Sequence, residues 1–216
     1  MSLKFGTDGL RGVANAELTP ELVLALGRAA ARVVPAPEFI LGRDTRLSGP
    51  LLQAALAAGL ASEGVRVADV GVIPTPGLAW LSATRQVPAA MISASHNPFP
   101  DNGVKLFGAG GTKLSDPVER ALEAELGRLV AEPSASGATA QVVNTVVGSS
   151  VGRIDPDPAG IDQYSDHLVA SLDGRRLDGL RCVLDCASGA ASRVGPSVLA
   201  RLGADVSVIA DAPDGT

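Results

Sequence analysis

A serine, a histidine and a lysine lie on the two limbs of one short excursion of the chain, within M91-I-S-A-S-H-N-P98 and D101-N-G-V-K105. Ser95 beside His96 first suggests a nucleophile and its base. Neighbours along a strand point to opposite faces, so a strand running through both would leave His96 badly placed to act on Ser95. The flanks of Ser95 are Ala94 and His96 rather than the glycines of a G-x-S-x-G elbow, and His167 is the only other histidine. A serine hydrolase is therefore disfavoured.

A phosphate carrier fits better. A phosphorylated serine holds about −1.5 to −2 charge and three acceptor oxygens, and it needs cations and helix N-termini nearby. The sequence offers Arg11 in F5-G-T-D-G-L-R-G12, Arg43 and Arg46 in G42-R-D-T-R-L-S-G49, and Lys105. A turn expected at Asp101-Asn102-Gly103 would swing Lys105 back toward Ser95, because glycine accepts positive φ. An arginine beside an aspartate at a strand end also forms structural ion pairs, and that reading competes with anion binding at Arg43 and Arg46. The run G108-A-G-G-T-K113 fits neither G-x-G-x-x-G nor the Walker pattern, and two separated histidines without an acidic cluster suggest no closed metal site.

The elements that must position these groups alternate. Thr19 as N-cap and Pro20 at the first helical position open a helix to Val34. Strands are expected at 39–44, 65–72 and 89–95, and helices after Ser48, from Thr75 as a cap, and over 116–130. This is the pattern of a layered α/β/α domain with a mixed, mostly parallel sheet, in which ligands gather beyond the carboxyl ends of strands. Arg43-Asp44, Thr75 and Ser95-His96 would all lie there. Residues 1–145 are read as this domain. Residues 146–216 are read as a linker and an incomplete second α/β domain of similar type, with a helix at 162–172, strands at 180–185 and 204–209 and a helix at 197–202. A short strand is also expected at Gln141–Val147. Two strands are too few to hold a core, so an N-terminal piece of a longer protein is expected. Asp185 is expected to order its turn, Trp80 and Leu81 to be core or interface, and His167 to be at the surface or beside a helix cap.

Of the 216 residues, 46% are hydrophobic, and 18 Lys plus Arg stand against 23 Asp plus Glu. That acidic balance argues against a nucleic-acid surface. No apolar run approaches the ~18 residues of a membrane span, and the N-terminus lacks an apolar signal core, so no membrane association and a cytoplasmic location are expected. Cys182 and Cys186 in one strand would stand about 13 Å apart, too far for a disulfide.

The ordered motifs F5-G-T-D-G-L-R-G12, G42-R-D-T-R-L-S-G49, I73-P-T-P76, M91-I-S-A-S-H-N-P98 with D101-N-G-V-K105, and D185-C-A-S-G-A190 resemble those of the α-D-phosphohexomutase superfamily. Within it the likeness is greatest to bacterial members that act on glucosamine phosphates. The resemblance implies interconversion of glucosamine 6-phosphate and glucosamine 1-phosphate through a bisphosphorylated sugar, with a hexose bisphosphate as activator. Phosphomannomutase or phosphoglucomutase chemistry is the alternative within the superfamily, and a non-catalytic, self-associating α/β domain the alternative outside it. The resemblance makes Ser95 the phosphoserine, Lys105 a proton-transfer group, Arg11 a partner of the transferring phosphoryl group and His96 a contact of substrate or phosphoserine. It also implies substrate or phosphate contacts for Thr7, Arg43 and Asn97, and a Mg²⁺ ion held partly by the phosphate on Ser95. The metal loop of that superfamily, an Asp-Gly-Asp-Gly-Asp-Arg run, does not occur here, so the 216 residues alone are expected to be inactive. Faces prepared for other domains are expected to favour homo-oligomers.

Overall fold

The structure, a computed structural model, describes residues 9–131 and 146–216. In chain order the elements are β1 (Leu10–Val13), α1 (Pro20–Val33), β2 (Glu38–Arg43), α2 (Gly49–Ser62), β3 (Arg66–Val72), α3 (Thr75–Arg85), β4 (Ala89–Ile92), β5 (Asp101–Phe107) and α4 (Asp116–Ala131). A short 3-10 turn at Gly148–Ser150 precedes β6 (Ile154–Pro156), α5 (Ala159–Ala170), β7 (Arg181–Asp185), α6 (Val194–Arg201) and β8 (Asp205–Ile209).

Six strands form one sheet in the order β1-β5-β4-β2-β3-β6. β4, β2, β3 and β6 run parallel, while β5 pairs antiparallel with both β4 and β1. The mixed, mostly parallel sheet expected from the element pattern is thus present. The strands β2, β3, β4 and β5 feed two cores because successive side chains leave on opposite faces. Phe39 and Leu41 join the core beneath α1, α2 and α4, whereas Ile40 and Met91 join the core shared with α3, α5 and α6. β7 and β8 form a separate two-stranded parallel sheet. The helices of that second unit do not enclose a core of their own: Ile161, Tyr164, Val194 and Val198 pack into the second core of the large sheet. His167 is exposed and stacks on Trp80, ring centroids 4.5 Å apart, which fastens α5 to α3.

Local chemistry explains most ends. Thr19 accepts a hydrogen bond from the Leu22 N–H at 3.3 Å, and Pro20 follows it, as expected for the start of α1. The expected cap of α3 differs, and α2 follows Ser48 as expected. Pro74, extended at φ −66° and ψ 147°, occupies the cap position of α3, so Thr75 is already helical. Ser48 makes no side-chain cap on α2; its hydroxyl instead accepts from the Asn102 amide at 2.9 Å. Strand β6 lies within residues 146–216, read from the sequence as a linker and an incomplete second domain, yet it joins the first sheet alongside β3. The strand expected at 141–147 lies mostly outside the described residues, and Val146 and Val147 are not in a strand.

Helices α1 and α2 cross with their backbones almost touching. A Cβ on Gly27 would sit 2.4 Å from the Leu56 carbonyl oxygen, and one on Gly59 would sit 2.2 Å from that of Leu24. Where the helices leave this crossing, charge takes over. Glu63 accepts from Arg28 and Arg32, and Arg32 reaches on to Glu125 of α4 at 2.9 Å. Hydrogen bonding from Arg128, aided by Arg32 against an opposing effect of burial, holds the Glu125 carboxyl down to about 2. Burial pushes Glu63 up, but the two arginines outweigh it and its pKa is lowered.

Candidate functional site

The carboxyl ends of β2, β3, β4 and β7 open onto one cleft of about 670 Å³. Its wall includes Asp44 and Arg46 beyond β2, Thr75 at the start of α3, Ser95, His96 and Asn97 beyond β4, and Ser188 and Gly189 beyond β7. The clustering of Asp44, Thr75, Ser95 and His96 at strand ends is the arrangement expected of an open α/β sheet.

Strand β4 ends at Ile92, so Ser95 and His96 belong to the connection that follows it. Ser95 is exposed and left-handed, with φ of 58°. Its Oγ lies 3.4 Å from His96 Nδ1, so the opposite-face argument from the sequence does not hold: the residues are not in a strand. The reversal also lies earlier than expected. Residues 95–100 turn the chain, with the Asn97 N–H bonded to the Ala94 carbonyl and that of Asp101 to Pro98. Asp101, Asn102 and Gly103 are instead the first residues of β5. Their turn chemistry is overridden by pairing with β1, Asn102 opposite Gly12 and Gly103 opposite Arg11.

The remaining predicted residues divide by face. Lys105 pairs with Met91, so its stem leaves on the side of the sheet that Met91 presents to the cleft. Its ammonium lies 5.6 Å from the centre of the Phe107 ring. Arg11 shares that side, and its stem crosses Gly103, where an added Cβ would stand 2.9 Å from Arg11 Cγ and 2.7 Å from the Ser93 carbonyl oxygen. Neither Arg11 nor Lys105 is part of the cleft wall. Arg43 faces the other way. Two residues after Leu41, it leaves on the α2 side and lines a second cavity of about 250 Å³ with Pro50, Gln53 and Asp69. Its Nη1 is buried without a hydrogen-bond partner among the described residues. The ion pair considered for it with Asp44 is made by Arg46 instead, Nε to Oδ2 at 3.0 Å. Asn97 donates its side-chain amide to Asp101 at 3.0 Å. Thr7 lies outside the described residues.

Two further strand-end segments complete the site. Asp185 accepts from the Ala187 N–H at 2.8 Å, ordering a turn in which Ala187 and Ser188 are both left-handed. The Thr45 hydroxyl donates to the Ser188 carbonyl at 2.7 Å and the Leu47 N–H to the Gly215 carbonyl at 3.1 Å, which binds the second unit to the segment after β2. Cys186, on the cleft wall, is a free thiol whose pKa is pushed up by burial and by Asp211 and Asp185.

Among the described residues no group of three or more His, Cys, Asp or Glu is placed to hold a metal ion. Asp44, the one side-chain carboxylate among the described residues on the cleft wall, already accepts from the Ser93 hydroxyl and from both the backbone and the side chain of Arg46. The described residues therefore do not by themselves make up the Mg²⁺ site that the resemblance implies. Among them, no helix is long and apolar enough to cross a membrane.

Comparison with known proteins agrees with this geometry. A phosphoglucosamine mutase of Thermobifida fusca (strain YX) is 49% identical over 223 residues, covering 100% of this chain and 46% of that protein. One of Moorella thermoacetica is 48% identical, again over 100% of this chain, and 47% of that protein. The chain thus spans about half the length of these relatives. A solved phosphoglucomutase/phosphomannomutase family protein of Burkholderia thailandensis superposes with a TM-score of 0.78 at 26% identity, over 98% of this chain and 44% of that one. The family described as phosphoglucomutase/phosphomannomutase, alpha/beta/alpha domain I, matches residues 2–131. By that match the chain belongs to the phosphoglucomutase/phosphomannomutase family and carries its first α/β/α domain.

Proposed function

We propose that this chain is the phosphoserine-bearing part of a phosphoglucosamine mutase, which interconverts glucosamine 6-phosphate and glucosamine 1-phosphate. The observation that carries the reading is Ser95, an exposed hydroxyl held in left-handed geometry on the wall of a strand-end cleft, within a chain 49% identical to a phosphoglucosamine mutase. In the reaction, the phosphate on Ser95 passes to one sugar oxygen as the Oγ–P bond breaks, giving a bisphosphorylated sugar. The sugar turns over, and Ser95 Oγ takes back the other phosphoryl group. Such transfers depend on positioning and on stabilising spread negative charge. The N-terminus of α3, whose Thr75 and Pro76 line the cleft, supplies partial positive charge. Lys105 is assigned proton transfer, Arg11 the transferring phosphoryl group, and His96 and Asn97 contacts at the serine. A hexose bisphosphate restores the phosphoserine when it is lost.

The test uses the full-length protein. After incubation with a hexose 1,6-bisphosphate, the peptide containing Ser95 should gain the mass of one phosphate. Ser95→Gly, which keeps the left-handed backbone at no steric cost, should abolish turnover. An unmodified Ser95 in an active protein, or turnover retained by the glycine variant, would sink the reading. Faster turnover of glucose or mannose phosphates than of glucosamine phosphates would move the substrate to the phosphoglucomutase or phosphomannomutase alternative. No thermal stabilisation by any sugar phosphate would favour a non-catalytic domain.

A further inference from the structure

Arg46 lies on the wall of the cleft and carries the charge a phosphate would seek, yet it has no donor left to offer one. A guanidinium has five N–H donors. Nε donates to Asp44 Oδ2 at 3.0 Å. Nη1 donates to the carbonyls of Pro98 and Asp101, at 2.7 and 3.0 Å. Nη2 donates to the carbonyls of Ser95 and Asn97, both at 2.8 Å. The side chain is 10% exposed and its charge is matched by Asp44, itself 13% exposed.

Seen from the loop, the same bonds serve a different end. Residues 95–100 belong to no strand or helix, so their carbonyls need partners from elsewhere. Carbonyl oxygens of residues 95, 97, 98 and 101 converge on one point, an arrangement that is repulsive until a planar cation with a fork of donors fills it. The Ser95 N–H is fixed as well: it donates to Ser93 Oγ at 3.0 Å, and Ser93 in turn donates to Asp44 at 2.7 Å. Both backbone groups of Ser95 are therefore tied to the Asp44–Arg46 pair, and this holds a non-glycine residue at φ 58°. The side chain alone is left to react.

We propose that Arg46, with Asp44, is a positioning residue that fixes the backbone of Ser95, and that it is not a ligand of the substrate's phosphate. The proposal rests on Ser95 being the phosphoryl carrier, but its structural half can be tested without any turnover. In the full-length protein Arg46→Lys keeps the charge and loses the planar fork. Amide hydrogen exchange in residues 93–101 should then quicken by about tenfold or more, the extent expected when local opening no longer has to break several hydrogen bonds that hold the loop. Single-turnover phosphorylation of Ser95 by a hexose 1,6-bisphosphate should slow by up to about 100-fold, as for a nucleophile misplaced by about 1 Å. KM for the sugar phosphate should stay within about twofold, because no binding contact is removed.

Asp44→Asn, which withdraws the counter-charge and leaves the core intact, should give the same pattern more weakly. It serves as the decisive variant if Arg46→Lys does not fold. Unchanged exchange in residues 93–101 overturns the proposal, as does a raised KM at unchanged kcat, the signature of a phosphate ligand. If Ser95 is never phosphorylated in the parent protein, the functional reading fails, while the exchange experiment still decides the role of Arg46.

Discussion

Replacing Gly59 with alanine tests whether backbone contact sets the distance between α1 and α2. The new methyl would lie 2.2 Å from the Leu24 carbonyl oxygen and 3.0 Å from the Arg28 nitrogen and Gly27 Cα. All three obstacles are backbone, so no flexible side chain can swing aside. To bring the oxygen out to 3.0 Å, the lower limit of real contacts, the helices must part by about 0.8 Å. A gap of that size forfeits roughly a quarter to a half of the dispersion attraction across it. The side chains in the core around this seam, including Leu26, Leu52, Leu56 and Leu60, are at most 1% exposed, so a parting of the helices opens a gap rather than a solvated surface. Overpacking costs about 1–3 kcal/mol, and an obstacle made of backbone belongs at the upper end. Alanine returns about 1 kcal/mol in helix propensity, leaving a net loss of about 2 kcal/mol. For a chain of this size that lowers Tm by about 4–8 °C. Gly127 of α4 is the control, because a Cβ there meets nothing within 4 Å. Gly127→Ala should raise Tm by about 2–3 °C through propensity alone. Thermal unfolding followed by circular dichroism reads both. If Gly59→Ala melts at or above the parent temperature while the control rises, close backbone approach does not set the helix spacing.

Three other outcomes are expected. The Glu125 carboxyl titrates near 2 in the folded chain and near 4.5 when unfolded, so its contribution is complete above pH 4.5 and fades as pH falls toward 2. With Arg128 48% exposed and the attraction screened by solvent, the contribution is about 1–2 kcal/mol. Urea midpoints measured between pH 7 and 3 should fall less steeply in Glu125→Gln than in the parent; parallel curves would refute the assignment. Cys186, whose thiol pKa is raised by burial and two aspartates, should react with iodoacetamide at pH 8 at least about tenfold more slowly in the folded chain than in urea. Gly103→Ala should weaken Ser95 phosphorylation in the full-length protein, because the methyl would displace the Ser93 carbonyl and the Arg11 stem; a normal rate would show that this crossing is not under strain.

Much of the scaffold is legible because its signals are local. Thr19-Pro20 starts α1 and the acidic first turn of α4 marks its beginning, each by chemistry confined to a few residues. Strand β6 is different. It is three residues long, ends in proline and exists only because β3 offers an open edge, which no window of the sequence reveals. Asn102-Gly103 shows the same limit: the pair has the composition of a turn, but β1 arrives alongside and makes it a strand. In the site, the motifs single out Ser95 and its neighbours, whereas the distant bonds that fix them are invisible in one dimension. The orientation of Arg43 was within reach. Phe39, Leu41 and Arg43 alternate with Ile40 and Gly42, so period two alone sends Arg43 toward α2 and away from the serine. The role of Arg46 was not, since the carbonyls it holds are 49 to 55 residues away.

The segment from Asp44 to Ser48 belongs to two masters. Thr45 and Leu47 grip residues 188 and 215, while Arg46 between them grips the serine loop. A peptide chain hardly stretches, so swinging the second unit outward must tear the first two grips or drag the third. Where the first two grips hold, gaping of the mouth and displacement of the serine loop are then a single mechanical event. A ligand that draws the two units together would, by the same linkage, stiffen the serine loop.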